Sequence, residues 1–128
     1  GGALVIGVSA GTVCFFATLT LKQKLKIDDS LDVFPVHGVG GILGTFAAGI
    51  FASSELGVFS GQGLAEGVTI GEQVMVQLCG IGAVGLYTAI ATYIILKLTN
   101  LVTPLRVSEE EETEGLDIVL HNERGYDL

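Results

Sequence analysis

Asp28-Asp29-Ser30-Leu31-Asp32-Val33-Phe34-Pro35-Val36-His37-Gly38-Val39-Gly40-Gly41 is a carboxylate-rich approach to an apolar segment that continues to about Ala52, with one histidine early inside it. Everything on either side reads as membrane-spanning helix, loop or tail. An ionisable side chain inside a span is costly to hold there and marks a functional position. His37 is therefore expected to line a conduction path. A histidine bonded to a neighbouring helix, with no transport role, fits the same residues.

The composition agrees with a membrane setting. Of 128 residues, 49% are hydrophobic and only 16% are charged, whereas soluble domains carry about 25% charged residues. The formal charge of −8 is concentrated at one end. From Glu109 onward there are eight acids against Arg124, a balance of −7, and the remainder is nearly neutral. No basic surface exists for nucleic acid. Cys14 and Cys79 sit in apolar runs and read as small hydrophobes, not a disulfide framework. One histidine per region is no metal-ligand cluster, and no cofactor site or enzymatic centre is expected. The chain opens on Gly1-Gly2 within an apolar run, without the basic flank of a signal peptide. It is expected to be the C-terminal part of a larger protein.

Three spans are expected, at about 2–22, 32–52 and 67–102. The first is uncharged for 20 residues, from Gly2 to Leu21, about the length that crosses ~30 Å of hydrocarbon. Ala3, Gly7 and Gly11 place small residues on one of its faces, and Gly40, Gly44 and Ala48 do the same on the second span, as tight helix contacts require. Lys22, Lys24 and Lys26 end the first span. Asp29, Ser30 and Asp32 are N-cap types at the start of the second, and Pro35 falls in its first turn if Asp32 caps. The third is longer than one perpendicular crossing needs. Gln73 and Gln77, one turn apart, give it a polar edge that should face protein, and Lys97 can snorkel to the interface. The loop from Ser53 to Glu66 is polar and turn-rich, with no lysine or arginine. Lys22, Lys24, Lys26, Lys97 and Arg106 collect on the other side. That asymmetry puts the loop outside and the C-terminus in the cytoplasm.

Residues 1–103 thus form the membrane part and 104–128 a tail. The tail's Glu109–Glu112 block reads as a solvated spacer. Beyond it, Leu116, Ile118, Leu120 and Tyr126 could dock on a surface, or the segment could stay disordered. If the second helix begins near Asp29, His37 lies eight residues in, about 12 Å at ~1.5 Å per residue, close to mid-bilayer. Desolvation there favours a neutral imidazole, with one donor and one acceptor for a small polar permeant or a proton relay. Gly38, Gly40 and Gly41 either permit packing or clear a passage beside it. The aspartates cap the helix or attract cations to the inner mouth.

The quoted stretch resembles the D-D-x-x-D-V-F-x-V-H-G-V-x-G segment of the tenth helix of ammonium transporters, the Amt/Mep/Rh family. Gly115-Leu116-Asp117, followed by His121, Glu123 and Tyr126, resembles the G-L-D-x-x-x-H-G-E-x-A-Y motif of the Amt branch's cytoplasmic tail. Gly67-Val68-Thr69-x-Gly71 and the long last helix also fit, so the resemblance covers essentially the whole chain. It implies an all-α membrane protein, with these as the last three of eleven spans in a homotrimer with one pore per subunit, in the cell membrane. His37 then matches the second of two paired pore histidines, Val33 an apolar pore-wall position, and Asp29 the aspartate that caps and shapes the tenth helix. Asp32 joins it as a cap.

The resemblance further implies ammonium or ammonia as the transported substrate and a tail that packs beneath the pores and couples to a PII signalling protein. Asn122 stands where the tail motif has glycine and Gly125 where it has alanine, and both bear on tail conformation and PII binding. The first pore histidine, the aromatic gate and the outer ammonium site belong to earlier helices, so this segment is not expected to conduct alone. A sensor with the same fold that signals through its tail is the alternative function.

Overall fold

The computed structural model describes residues 1–125, in which helices and turns are the regular elements. Tyr126 lies outside the described residues. Helix α1 spans Gly2–Leu19 and runs on through a π-helical turn, Thr20–Lys24. Helix α2 spans Gly40–Phe51 and is preceded by a π-helical segment, Phe34–Val39. A 3-10 turn follows at Ser54–Phe59. Helix α3 is Ile70–Val102, and two short helices, α4 (Glu109–Glu114) and α5 (Leu116–His121), complete the order. Gly2–Lys24, Phe34–Phe51 and Ile70–Val102 are each long and apolar enough to cross a membrane.

The chain forms two compact units, Gly1–Gly85 and Leu86–Leu128. Within the first, α1 packs along α2 and its π-helical lead-in. Very little apolar surface is enclosed: Ala47 is a buried hydrophobic side chain and Pro35 is fully buried. Leu4, Val8, Phe15 and Phe16 on α1 are each 60–73% exposed. A water-soluble fold would bury such side chains. Helices apolar on every side need lipid or further protein around them.

Helix boundaries follow local chemistry. Lys26 ends the first helical run in the left-handed region, φ 52°. Helical conformation resumes at Val33 (φ −63°, ψ −48°). His37 is thus four residues into its helix, about 6 Å at ~1.5 Å per residue, half the distance expected from a start near Asp29. Helix α3 starts at Ile70, three residues later than the expected 67, because Thr69 caps it. Glu72 Oε2 accepts from Thr69 N–H at 2.8 Å and from the Thr69 hydroxyl at 2.9 Å, and Glu72 N–H donates back to Thr69 Oγ1 at 3.3 Å. This reciprocal arrangement is a capping box. At 33 residues the helix is about 50 Å long, against ~30 Å of hydrocarbon.

The small residues do not all serve the contacts their spacing implies. Gly7, Gly11, Gly41 and Gly44 have open space where a Cβ would stand. The close approaches are Gly40, where a Cβ would lie 3.1 Å from Cys14 Sγ, and Gly49, where it would lie 2.8 Å from Gln77 Cγ. Gln73, Val74 and Gln77 are half-buried while their neighbours on α3 are exposed. The polar edge of α3 therefore does face protein, at Gly49.

The tightest point is the turn after α2. Gly61 N–H donates to the Ser53 carbonyl at 3.0 Å and Gly63 N–H to Ala52 at 2.9 Å. Ser53 itself is 3% exposed, its hydroxyl accepting from Glu55 N–H. A Cβ on Gly61 would stand 2.6 Å from the carbonyl oxygens of both Phe51 and Ala52. Backbone cannot yield there as a flexible side chain can. Gly61→Ala should destabilise the full-length protein by about 1–3 kcal/mol, read as a lowered melting temperature in detergent. Gly71→Ala, in helix α3 with nothing near its Cβ, should instead leave stability unchanged or raise it by up to about 1 kcal/mol.

Candidate functional site

The first N–H groups of a helix lack partners within it, and at the start of the His37 helix those of Asp32, Val33 and Phe34 are all accounted for, Asp32 N–H by the Asp29 carbonyl at 3.3 Å. Asp29 takes two. Its Oδ1 accepts from Val33 N–H at 2.9 Å and its Oδ2 from Phe34 N–H at 2.8 Å. Pro35 has no N–H to satisfy, and Val36 N–H reaches the Asp32 carbonyl at 3.0 Å. The Phe34 and Val33 bonds, with the Lys22 charge nearby, hold the Asp29 carboxyl below the usual carboxylate range. Asp32 contributes its carbonyl to the helix but not its side chain, which pairs with Lys22 at 2.8 Å. Of the two aspartates expected as caps, Asp29 holds the backbone and Asp32 holds a lysine. No signal in the spacing pointed to Lys22.

The lead-in is π-helical, a wide-turn geometry that recurs at functional positions. Val36 and Gly40, one turn apart, face α1: the Cys14 thiol lies 3.9 Å from the Val36 carbonyl oxygen and close to Gly40. An apolar surface groove of about 540 Å³ runs there, lined by Ala10, Gly11, Cys14, Phe15, Val36 and Gly40. His37 follows Val36 by one residue and is set roughly a quarter-turn round the helix from it. Val33, His37 and Gly41 share its side at four-residue spacing, and all three are exposed. Gly41 and Gly44 leave that side unfilled. Beside it the Phe34 ring covers Gly38, where a Cβ would come within 2.9 Å of the ring.

This face is an apolar wall carrying one imidazole. No described residue hydrogen-bonds the His37 ring. A neutral imidazole offers one N–H and one lone pair. A wall of Val, Gly and one such group would present a small permeant with a single polar contact in otherwise apolar surroundings. The proposed pore residues Val33 and His37 are thus brought together, and Asp29 sits behind them in the backbone.

The tail residues are organised separately. Ser108 and Glu111 form a second capping box: the Ser108 hydroxyl oxygen accepts from Glu111 N–H at 3.2 Å, and Glu111 Oε2 accepts from Ser108 N–H at 2.8 Å. The Ser108 N–H and hydroxyl bonds hold the Glu111 carboxyl below the usual range. The glutamate block, read as a solvated spacer, is largely exposed and helical. Arg106 pairs with Glu112 at 3.3 Å, both well exposed, a contact worth at most about 1 kcal/mol. Gly115 (φ 107°) breaks α4 from α5 in a conformation that favours glycine. Leu116 and Asp117 open α5 and His121 ends it. Glu123 N–H closes back on the Asp117 carbonyl at 3.1 Å. Both capping boxes were written in the sequence as T-x-x-E and S-x-x-E, a start signal that hydropathy reading passes over.

The double cap on the His37 helix is open to direct measurement. Asp29→Ala removes both acceptors and should speed hydrogen exchange at Val33 and Phe34 by roughly tenfold. Asp29→Asn keeps one oxygen and should protect only one of the two amides. Wild-type protection of both amides in Asp29→Ala would mean that the cap does not hold the helix start.

A sequence profile of the Ammonium Transporter Family matches residues 1–126. An ammonium transporter of Bacillus subtilis is 38% identical over 124 residues, covering 97% of this chain and 30% of that protein. One from Aquifex aeolicus is 43% identical over 127 residues, covering 99% of this chain and 29% of its own length. The ammonium transporter Amt1 of Archaeoglobus fulgidus is 40% identical over 127 residues, covering 98% and 31%. The chain spans about three-tenths of the length of these curated relatives. With its helices, its histidine face and its tail all inside the matched region, the chain belongs to the ammonium transporter family.

Proposed function

We propose that this chain supplies the His37 wall of a pore that carries ammonium or ammonia across a membrane. The Val33–His37–Gly41 face carries the reading: an uncharged, glycine-bearing surface with one imidazole that no described residue hydrogen-bonds, on a helix held from outside the apolar segment. Family membership and the names of the relatives support the substrate. In this reading ammonium is stripped of water or of a proton at a narrow apolar passage, and the neutral species passes along the imidazole. Hydrated metal cations are rejected because their desolvation is uncompensated there. The opposite wall belongs to the part of the protein outside this chain.

His37→Ala in the full-length protein tests it. The lost contact is a neutral hydrogen bond, worth about 0.5–1.5 kcal/mol. Ammonium uptake, or its preference over potassium, should therefore fall by roughly two- to tenfold at equal protein in the membrane. Wild-type uptake together with wild-type selectivity would overturn the assignment.

The same reading makes the protein a homotrimer of the cell membrane with its C-terminus in the cytoplasm, where α4 and α5 form a regulatory tail. Gly115, Leu116, Asp117, His121, Glu123 and Tyr126 carry the motif through which the tail would couple to a PII signalling protein. The support is that α5 is a defined helix exposing Leu116 and Leu120, apolar side chains available for docking. Deleting residues 115–128 should leave trimer assembly intact while altering uptake or its response to nitrogen supply. If both were unchanged, the tail would have no such role.

A further inference from the structure

Between α1 and α2 lies a charged contact that the pore reading does not use. Lys22 Nζ stands 2.8 Å from Asp32 Oδ1, joining the π-helical end of α1 to the residue before the His37 helix. The side chains are 39% and 32% exposed, and the Asp32 Oδ1 atom is itself out of solvent. No aligned hydrogen bond reaches that oxygen, so the contact is an ion pair of charge on charge. Asp32 also adopts φ 56°, a left-handed conformation that aspartate, with its short polar side chain, enters more readily than most residues. Its carbonyl accepts the Val36 N–H at 3.0 Å, the bond immediately before His37.

Three constraints thus meet at one residue: an ion pair to α1, a left-handed backbone angle and the first internal bond of the His37 helix. About two turns further along, Gly40 lies against Cys14 of α1. Rotation of the helix start about its own axis is opposed at two points on the side that meets α1, Asp32 at Lys22 and Gly40 at Cys14. Asp29 commits both oxygens to the first N–H groups and only feels the Lys22 charge, whereas Asp32 pairs with Lys22 directly.

We propose that the Lys22–Asp32 ion pair is a positioning latch that sets the rotation of the Val33–His37 face relative to α1, and through it how closely His37 meets the permeating species. The proposal rests on His37 being a pore residue. Lys22 and Asp32 are positioning residues that do not touch the permeant.

The test uses the full-length protein in membranes, comparing initial uptake of ammonium and methylammonium at matched protein levels. Lys22→Glu and Asp32→Lys alone should each shift the ammonium-to-methylammonium ratio by roughly three- to tenfold, and the reversed pair and Lys22→Arg should return it to within about twofold of wild type, as coupled contacting charges do. Should Lys22→Glu fail to accumulate, Lys22→Gln removes the charge without reversing it and gives the same readout. Single variants with a wild-type ratio, or a reversed pair no better than the product of its singles, would overturn the latch. His37→Ala measured alongside separates the two claims. Wild-type behaviour there defeats the pore reading and the latch with it; an altered ratio without rescue by the reversed pair defeats the latch alone.

Discussion

A helix that begins at the edge of hydrocarbon must find partners for its first N–H groups or leave them where no water can reach. In this chain that requirement is met by one carboxylate, Asp29, which takes two of them, and by Pro35, which has none to satisfy. The remaining N–H of the opening turn reaches the Asp32 carbonyl. Everything that distinguishes the second span depends on this arrangement. It lets the helix start abruptly at Val33, and it keeps charge on the loop side of that start. An uncharged face with a histidine can then run directly on from it.

Close packing in this chain is achieved at few points. Glycine at 40, 49 and 61 permits backbone approach to α1, to α3 and to the turn after α2. Elsewhere the apolar side chains point outward, on α1 and α3 alike. Membrane helices gain no hydrophobic drive from meeting one another, because lipid is as apolar as leucine, so contact relies on close fit and a few polar groups. Gly49 against Gln77 shows both: a missing side chain on α2 receives the stem of a polar one on α3. The glycines at 7, 11, 41 and 44 have open space where a Cβ would stand.

The three spans were legible because twenty uncharged residues in a row have few other readings, and their bounds differ from the helices by no more than a few residues. Those differences have chemical causes that hydropathy does not weigh. Thr69 and Glu72 postpone α3 to Ile70, and the Asp29 cap postpones the second helix to Val33, which halves the distance of His37 from its helix start. Gln73 and Gln77 were placed against protein by their four-residue spacing alone, whereas Val33 was named only through the family resemblance. Lys22 with Asp32 could not be read, because the two are joined by the path of the loop and not by any periodicity. Ser108 with Glu111 could have been, since the box is local. A run of glutamates conceals its own cap when it is read only as charge.

The tail's departure from its family motif can be judged by conformation instead of by identity. Asn122 ends α5 at φ 51°, ψ 37°, the left-handed region in which a helix commonly terminates. Glycine is the usual residue there because it has no Cβ to strain, and asparagine is the side-chain-bearing residue that tolerates it best. Asn122 N–H still reaches the Ile118 carbonyl at 2.9 Å, and Glu123 N–H reaches Asp117. The exchange of glycine for asparagine therefore keeps the turn that brings Glu123 back beside Asp117, two motif residues that the chain separates by a helix. In this chain the turn carries an amide side chain at Asn122 in the left-handed region. Any difference in tail recognition at this position would then arise from that side chain and not from a lost cap.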